Sequence, residues 1–309
     1  MKENEKTGVI PLFFSVDDKY IPYLAVAIRS IICNLADSAE CNIHLLTTGV
    51  SEENRRMILA MSTPRVNIFF CDVGMLCGRL GPHLQLRDYY SASTYYRLFI
   101  PELFPQYERG IYLDCDIVVT ADISELYNSE IGECLVGAVT DEVVTDIETF
   151  RRYSECVIEL EPEKYFNAGV LIMNLRKMRE THFLEEFSTL LRKRRFPVAQ
   201  DQDYLNILCR DKVLYLAGEW NKTPFPYSPE KTPKLIHFKL NFRPWRYDGI
   251  RFESEFWKYA KKTEYIEILR AEKENYTDAE RERDRLQGEG LLALAEKETE
   301  NAQRKAVIQ

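Results

Sequence analysis

Two carboxylates one residue apart, Asp114 and Asp116, interrupt the apolar and β-branched run Gly110-Ile111-Tyr112-Leu113-Asp114-Cys115-Asp116-Ile117-Val118-Val119. Burying them without a partner would cost several kcal/mol, on the order of 3–5, so something must compensate the charge. If the run is a strand, its period of two puts Asp114 and Asp116 on one face and turns Cys115 to the other. At the C-terminal end of a strand in an α/β sheet, such a pair points into the crevice where ligands bind. A divalent cation carrying a diphosphate is one partner, because hard oxygens from protein and phosphate suit Mg or Mn. An acidic turn that merely closes a strand is the other reading, and this stretch alone leaves both open.

The surrounding segments supply the frame. Ile10-Pro11-Leu12-Phe13-Phe14-Ser15-Val16 predicts a buried first strand that exits into Asp17-Asp18. From Tyr20 onward, Leu24, Ala27, Ile28, Ile31 and Leu35 recur at helical spacing, with Pro22 tolerated in the first turn. Residues 42–48 predict a second strand, Ser51 caps a helix that starts Glu52-Glu53, and residues 66–71 predict a third strand. Strands alternating with helices in this way predict an α/β fold with a mixed, mostly parallel sheet.

Farther along, residues 88–104 predict a helix with Arg97 near its middle. That arginine reads either as a surface cation with a packed stem or as a hand for an anion in the same crevice. Residues 134–139 predict another strand. Asn167-Ala168-Gly169 leads into the apolar strand 170–175, where small side chains serve a tight turn or admit a ligand close to the backbone. The helix 181–195 ends in Arg192-Lys193-Arg194-Arg195, a solvated basic terminus or a contact for an acidic acceptor or lipid surface. Gln200-Asp201-Gln202-Asp203 opens a further helix, as caps or as ligands. Residues 234–238 form a last short strand, and Arg243-Pro244-Trp245 follows its exit.

Composition removes some functions. The 45% hydrophobic and 12% aromatic content over 309 residues supports a sizeable core. A net charge of −8 provides no general basic field for nucleic acid. No apolar run approaches the ~20 residues that cross a bilayer, and the polar start Met1-Lys2-Glu3-Asn4-Glu5-Lys6 is not a signal peptide, so a cytoplasmic protein is expected. The 8 cysteines, Cys33, Cys41, Cys71, Cys77, Cys115, Cys134, Cys156 and Cys209, have no paired metal spacing and read as reduced core residues. From about Lys258 the composition becomes densely charged, with Leu291-Leu292-Ala293-Leu294-Ala295 as its one apolar patch. This predicts a main domain over 1–257 and a helical C-terminal appendage over 258–309, which docks or pairs through that patch.

The order of blocks then resembles a known family. Val16-Asp17-Asp18 with Tyr20, Thr94-Tyr95-Tyr96-Arg97-Leu98, Tyr112-Leu113-Asp114-Cys115-Asp116, Tyr165-Phe166-Asn167-Ala168-Gly169-Val170-Leu171, Gln200-Asp201-Gln202-Asp203, and His237 with Arg243-Pro244-Trp245 resemble glycosyltransferase family 8. The likeness runs from about Ile10 to Trp245 and is nearest to bacterial lipopolysaccharide galactosyl- and glucosyltransferases, with glycogenin more distant.

The resemblance implies a GT-A type, single Rossmann-like domain and a retaining, metal-dependent transfer of glucose or galactose from a UDP-sugar to a glycan or glycolipid hydroxyl. By the same resemblance Asp17 accepts from the uracil ring and Tyr20 stacks on it. Asp114 faces the ribose and the metal, and Asp116 and His237 complete a site for Mn2+ or Mg2+. Arg97, Asn167, Ala168 and Asp201 hold the sugar. Gln202 lies beside the anomeric carbon, Asp201 is the fallback nucleophile, and Arg243 stands on the diphosphate where the family usually has lysine. Lys19 and Leu240 replace a frequent asparagine and glycine. Two other readings compete: a catalytically impaired UDP-sugar or glycan-binding relative, and a phosphatase with the same acidic motif. Peripheral contact with the inner face of a membrane and pairing through the C-terminal helix stay open.

Overall fold

The computed structural model describes residues 8–75, 92–224 and 232–308. Met1 to Lys6, Cys77 and residues 88–91 of the predicted helix lie outside the described residues. Among the described residues nine strands follow in chain order: β1 (Ile10–Ser15), β2 (Cys41–Thr47), β3 (Val66–Asp72), β4 (Gly110–Leu113), β5 (Ile117–Val119), β6 (Val136–Thr140), β7 (Phe166–Met173), β8 (Val213–Tyr215) and β9 (Leu235–His237). Seven of them form one sheet in the order β3-β2-β1-β4-β7-β6-β8, and β5 pairs with β9 separately. Within the large sheet β7 runs antiparallel to both neighbours, β4 and β6, and the other described pairs are parallel. The predicted mixed, mostly parallel sheet is therefore present.

Strands of a sheet covered on both faces are apolar at every position. Here the period of two divides them between two cores. Leu12, Phe14, Ile111, Leu113, Val170 and Ile172 enter a core shared with the helix Ile21–Asn34. Phe13, Tyr112, Leu171 and Met173 enter a second core with Tyr95, Phe187 and Tyr204.

The antiparallel course of β7 decides where the functional residues meet. Asp17, Asp114 and Asp141 follow the C-terminal ends of β1, β4 and β6, whereas Asn167, Ala168 and Gly169 stand at the N-terminal end of β7. Because β7 is reversed, its start and the other strands' ends share one edge of the sheet.

Four sequence expectations change. The run 110–119 is not one strand: β4 ends at Leu113, and after Asp114-Cys115-Asp116 the chain enters the smaller sheet as β5. The acids still face one point because Asp114 keeps the Tyr112 side of β4, while β5 is carried back toward His237 by its pairing with β9. The segment around Arg97 is a 3-10 helix, Ala92–Phe99, followed by the short helix Ile100–Leu103 with Pro101 in its first turn. Arg97 is 5% exposed, which replaces the surface-cation reading. Among the described cysteines, all free, Cys41, Cys115 and Cys209 are buried and Cys33 is exposed, so not all belong to the core.

The tail adds helices. Glu253–Ala260 crosses positions 257 and 258, and its Phe256, Tyr259 and Ala260 join the first core, as do Tyr265 and Leu269. The long helix Asp278–Ile308 turns Leu291, Leu292, Leu294 and Ala295 onto the second core of the same chain. No helix among the described residues is long and apolar enough to cross a membrane.

Candidate active site

Every residue that the resemblance assigns to the site lines one cleft at that sheet edge: Asp17, Tyr20, Arg97, Asp114, Asp116, Asn167, Ala168, Asp201, Gln202, His237 and Arg243. At the exit of β1, Asp17 Oδ1 accepts the backbone N–H groups of Lys19 at 3.1 Å and Tyr20 at 3.2 Å, capping a short 3-10 turn. Asp18 fastens the same loop by accepting from the Ser51 N–H and Asn54 Nδ2, each at 2.9 Å. Tyr20 is thereby held at the cleft, where burial pushes its hydroxyl up to about 12.

Beyond β4, the Asp114 N–H donates to the Gly169 carbonyl at 2.8 Å, which extends the β4–β7 ladder by one residue. Asp114 Oδ1 accepts from the Tyr112 hydroxyl and from Arg97 Nη2, both at 2.9 Å. Its Oδ2 lies 3.7 Å from His237 Nε2, and Asp116 Oδ1 lies 3.2 Å from the same nitrogen. The three residues offer ligand atoms that all lie within 4.8 Å of one another. Two carboxylates and one imidazole fit a divalent cation, and the nitrogen favours Mn over Mg.

The imidazole is oriented for that role. His237 Nδ1 is 3.0 Å from Asn221 Oδ1, while Asn221 Nδ2 donates to Asn167 Oδ1 at 2.8 Å. Since Asn221 uses its amide nitrogen on Asn167, its oxygen must accept from His237, leaving the Nε2 lone pair toward the acids. Asn167 in turn donates to Asp141 Oδ2 at 2.9 Å, and Lys239 Nζ reaches Asp141 Oδ1 at 2.8 Å.

Gly169 belongs to this geometry. A Cβ there would sit 2.3 Å from His237 Cε1 and 2.7 Å from Asp114 Oδ2, so the small residue permits the close approach of these two groups.

Arg97 lies beneath the acids, its guanidinium 4.2 Å above the Tyr112 ring. It donates through Nη1 to the Ala168 carbonyl, through Nη2 to Asp114, and through Nε to the Thr94 carbonyl at 3.0 Å. The same Nε is 3.0 Å from Asp201 Oδ2. Burial pushes the Asp201 carboxyl up to about 7, although Arg97 pulls it down.

Gln200, with φ 47° and ψ −116°, turns the chain sharply before the helix Asp201–Leu208 and makes no side-chain cap. Gln202 Oε1 then accepts from the Ala168 N–H at 2.9 Å and from Asn167 Nδ2 at 3.2 Å. Asp203 has a structural setting. It accepts from Tyr165 at 2.6 Å, Tyr153 at 2.9 Å and the Ala199 N–H at 3.0 Å, and burial pushes it up to about 6.

Sequence reasoning missed Asp141, Lys239 and Asn221. Asp141 had a usable signal, an acid at a strand exit like Asp17, and Lys239 stands two residues past His237. Asn221 had none, since it lies in the short turn Gly218–Asn221 and acts only through its spatial neighbours.

Residues 11–249 match the family model described as Glycosyl transferase family 8. A Haemophilus influenzae protein that carries a glycosyltransferase name is 31% identical, over 80% of this chain and 72% of its own length. The lipopolysaccharide 1,2-glucosyltransferase of Escherichia coli is 26% identical, over 79% and 78% respectively. Among solved structures, the galactosyltransferase LgtC in complex with donor and acceptor sugar analogs superimposes with a TM-score of 0.73 at 27% identity, covering 85% of this chain and all of that one.

Proposed function

The chain belongs to glycosyl transferase family 8 and has the GT-A fold, and from that premise we propose that it transfers glucose or galactose from a UDP-sugar to a glycan or glycolipid hydroxyl, with a divalent metal and with retention of anomeric configuration. The observation that carries the reading is the convergence of Asp114, Asp116 and His237, ligand atoms within 4.8 Å of one another, in the cleft that also holds Asp17, Tyr20, Asp201 and Gln202.

In this reading Asp17 accepts from the uracil ring and Tyr20 stacks on it. Asp114, Asp116 and His237 would hold a divalent cation, Mn2+ or Mg2+, which would supply positive charge against the diphosphate. Arg243 adds a second positive group on the diphosphate, preorganised for the charge that develops on the leaving oxygen. Asn167, Ala168 and Asp201 hold the sugar. Arg97, which donates to Asp114, Ala168 and Thr94 and pairs with Asp201, acts by fixing the acids around the sugar. Gln202 stands beside the anomeric carbon, but an amide that accepts two hydrogen bonds is a poor nucleophile compared with the carboxylate of retaining glycosidases. Front-face attack by the acceptor hydroxyl, its proton taken by the departing phosphate oxygen, therefore fits better than a covalent intermediate. Asp201, whose carboxylate form is favoured by Arg97 at 3.0 Å, is the fallback nucleophile. The reaction is placed in the cytoplasm, where an acceptor on the inner face of the membrane is within reach.

Incubation with Mn2+ and UDP-glucose, UDP-galactose or UDP-N-acetylglucosamine tests the assignment through UDP release and the anomeric configuration of the product. Release from one hexose donor with retained configuration is expected. An inverted linkage overturns the retaining assignment, and no release from any donor overturns the transfer itself.

A further inference from the structure

The donor reading leaves part of the cleft lining unused. Val143, Val144, Phe150, Tyr153, Val198 and Leu291 line it without a free polar group, since the Tyr153 hydroxyl donates to buried Asp203. This apolar surface is continuous with the chemistry: Val143 follows Asp141 by two residues and donates its N–H to Asp141 Oδ1, and the other oxygen of Asp141 is bonded by Asn167 and approached by Gln202 at 3.3 Å.

Leu291 reaches the cleft from the long C-terminal helix, and the helix is anchored on both sides of it. Before it, Asp284 accepts from Tyr247 at 2.9 Å and from Tyr276 at 2.7 Å. After it, Ala295 joins the second core and Thr299 is buried. Asp284, Gly288, Leu291, Ala295 and Thr299 share one helical face. Between the anchors Gly288 is open, since a Cβ there would meet nothing within 4 Å, while Leu291 packs at the edge of the second core and lines the cleft. The helix therefore brings Leu291 to the cleft and rests on the body at either end.

We infer that the helix Asp278–Ile308 forms one wall of the acceptor subsite, with Leu291 as a specificity-determining residue that packs against an alkyl aglycone attached to the accepting sugar. The inference rests on the proposed hexosyl transfer. A purely saccharide acceptor leaves Leu291, Phe150 and Val144 facing hydroxyl groups and water, whereas an alkyl chain removes that surface from water.

The test compares methyl β-glucoside with octyl β-glucoside below its micellar concentration, binding to the full chain in Mn2+ and UDP by calorimetry. The octyl compound is expected to bind about tenfold tighter, each well-buried methylene contributing up to about fourfold. Leu291→Ser should reduce the ratio to about twofold, and Leu291→Met should restore it. Exposed Leu286→Ser on the same helix should leave it intact. Equal binding of the two glycosides, or the same ratio in wild type and Leu291→Ser, overturns the inference. A thermal shift with UDP and Mn2+ on the same samples separates the two ideas. Its absence refutes the donor reading, while a shift together with equal glycoside binding refutes only the apolar wall.

Discussion

Nδ1 of His237 sits 3.0 Å from Oδ1 of Asn221, and this bond fixes which ring nitrogen faces Asp114 and Asp116. Replacing Asn221 by leucine keeps the volume and removes the acceptor, so the ring loses its fixed tautomer and orientation. Mn2+ affinity should fall about 10–100-fold, as for other partners of metal-ligating histidines. Titration followed by the Mn2+ electron-spin signal measures it, and an unchanged affinity refutes the orienting role.

Asp116→Ala should abolish Mn2+-dependent UDP binding while the chain remains folded, because it removes one of three converging ligands. Thermal shift with UDP in the presence and absence of Mn2+ reads this directly. A wild-type shift in the variant would refute the ligand assignment.

Gly169→Ala tests the crowding around the same point. Its methyl would meet His237 Cε1 and Asp114 Oδ2 inside van der Waals distance, and both are held by hydrogen bonds, so the ligands must separate. The variant should lose metal-dependent UDP release and about 1–3 kcal/mol of stability. Retention of both would mean that the β7 start shifts freely.

Arg97→Met removes a buried cation and leaves Asp114 and Asp201 without their shared partner. Breaking such a set from one side costs about 3–5 kcal/mol. Chemical denaturation should show this loss. A loss below about 1 kcal/mol would mean that water replaces the guanidinium.

The acids of the 201–203 segment set a pH dependence. Burial raises Asp201 to about 7 and Asp203 to about 6 from an unfolded value of 3.8, so between these values the folded chain binds more protons than the unfolded one. Their contribution is therefore fully present below pH 4 and is lost as pH rises through 6 and 7. Asp203→Asn should remove its share, so the stability difference between wild type and variant should move by on the order of 3 kcal/mol toward the variant from pH 4 to pH 7.5. A pH-independent difference refutes the raised value.

Much of the site was legible because acids in apolar runs are costly and therefore conspicuous. Asp17, Asp114 and Asp116 stood out by that contrast, and the family's block order supplied His237, Gln202 and Arg243. The Asn221–Asn167–Asp141 relay was not legible, because amides in turns carry no periodic signal and their partners are 26 to 54 residues away. The break after Leu113 was hidden by a β-branched run that continues across it: strand propensity does not say which sheet a strand joins. Leu240 shows a further limit. It adopts φ 58°, a left-handed conformation that explains why glycine suits the position, yet nothing in the local sequence marks it.

The pairing of β5 with β9 also bears on how the chain is made. β5 finds its described partner only when Leu235–His237 has left the ribosome, which at about 5–20 residues per second is several seconds after Ile117–Val119 emerges. Through that interval the nascent chain carries an unpaired β-branched edge beside Asp116, whose His237 neighbour has not yet emerged. Vectorial synthesis thus leaves the candidate metal site incomplete until His237 has emerged, and the exposed edge of β5 stays open to pairing with other chains until then.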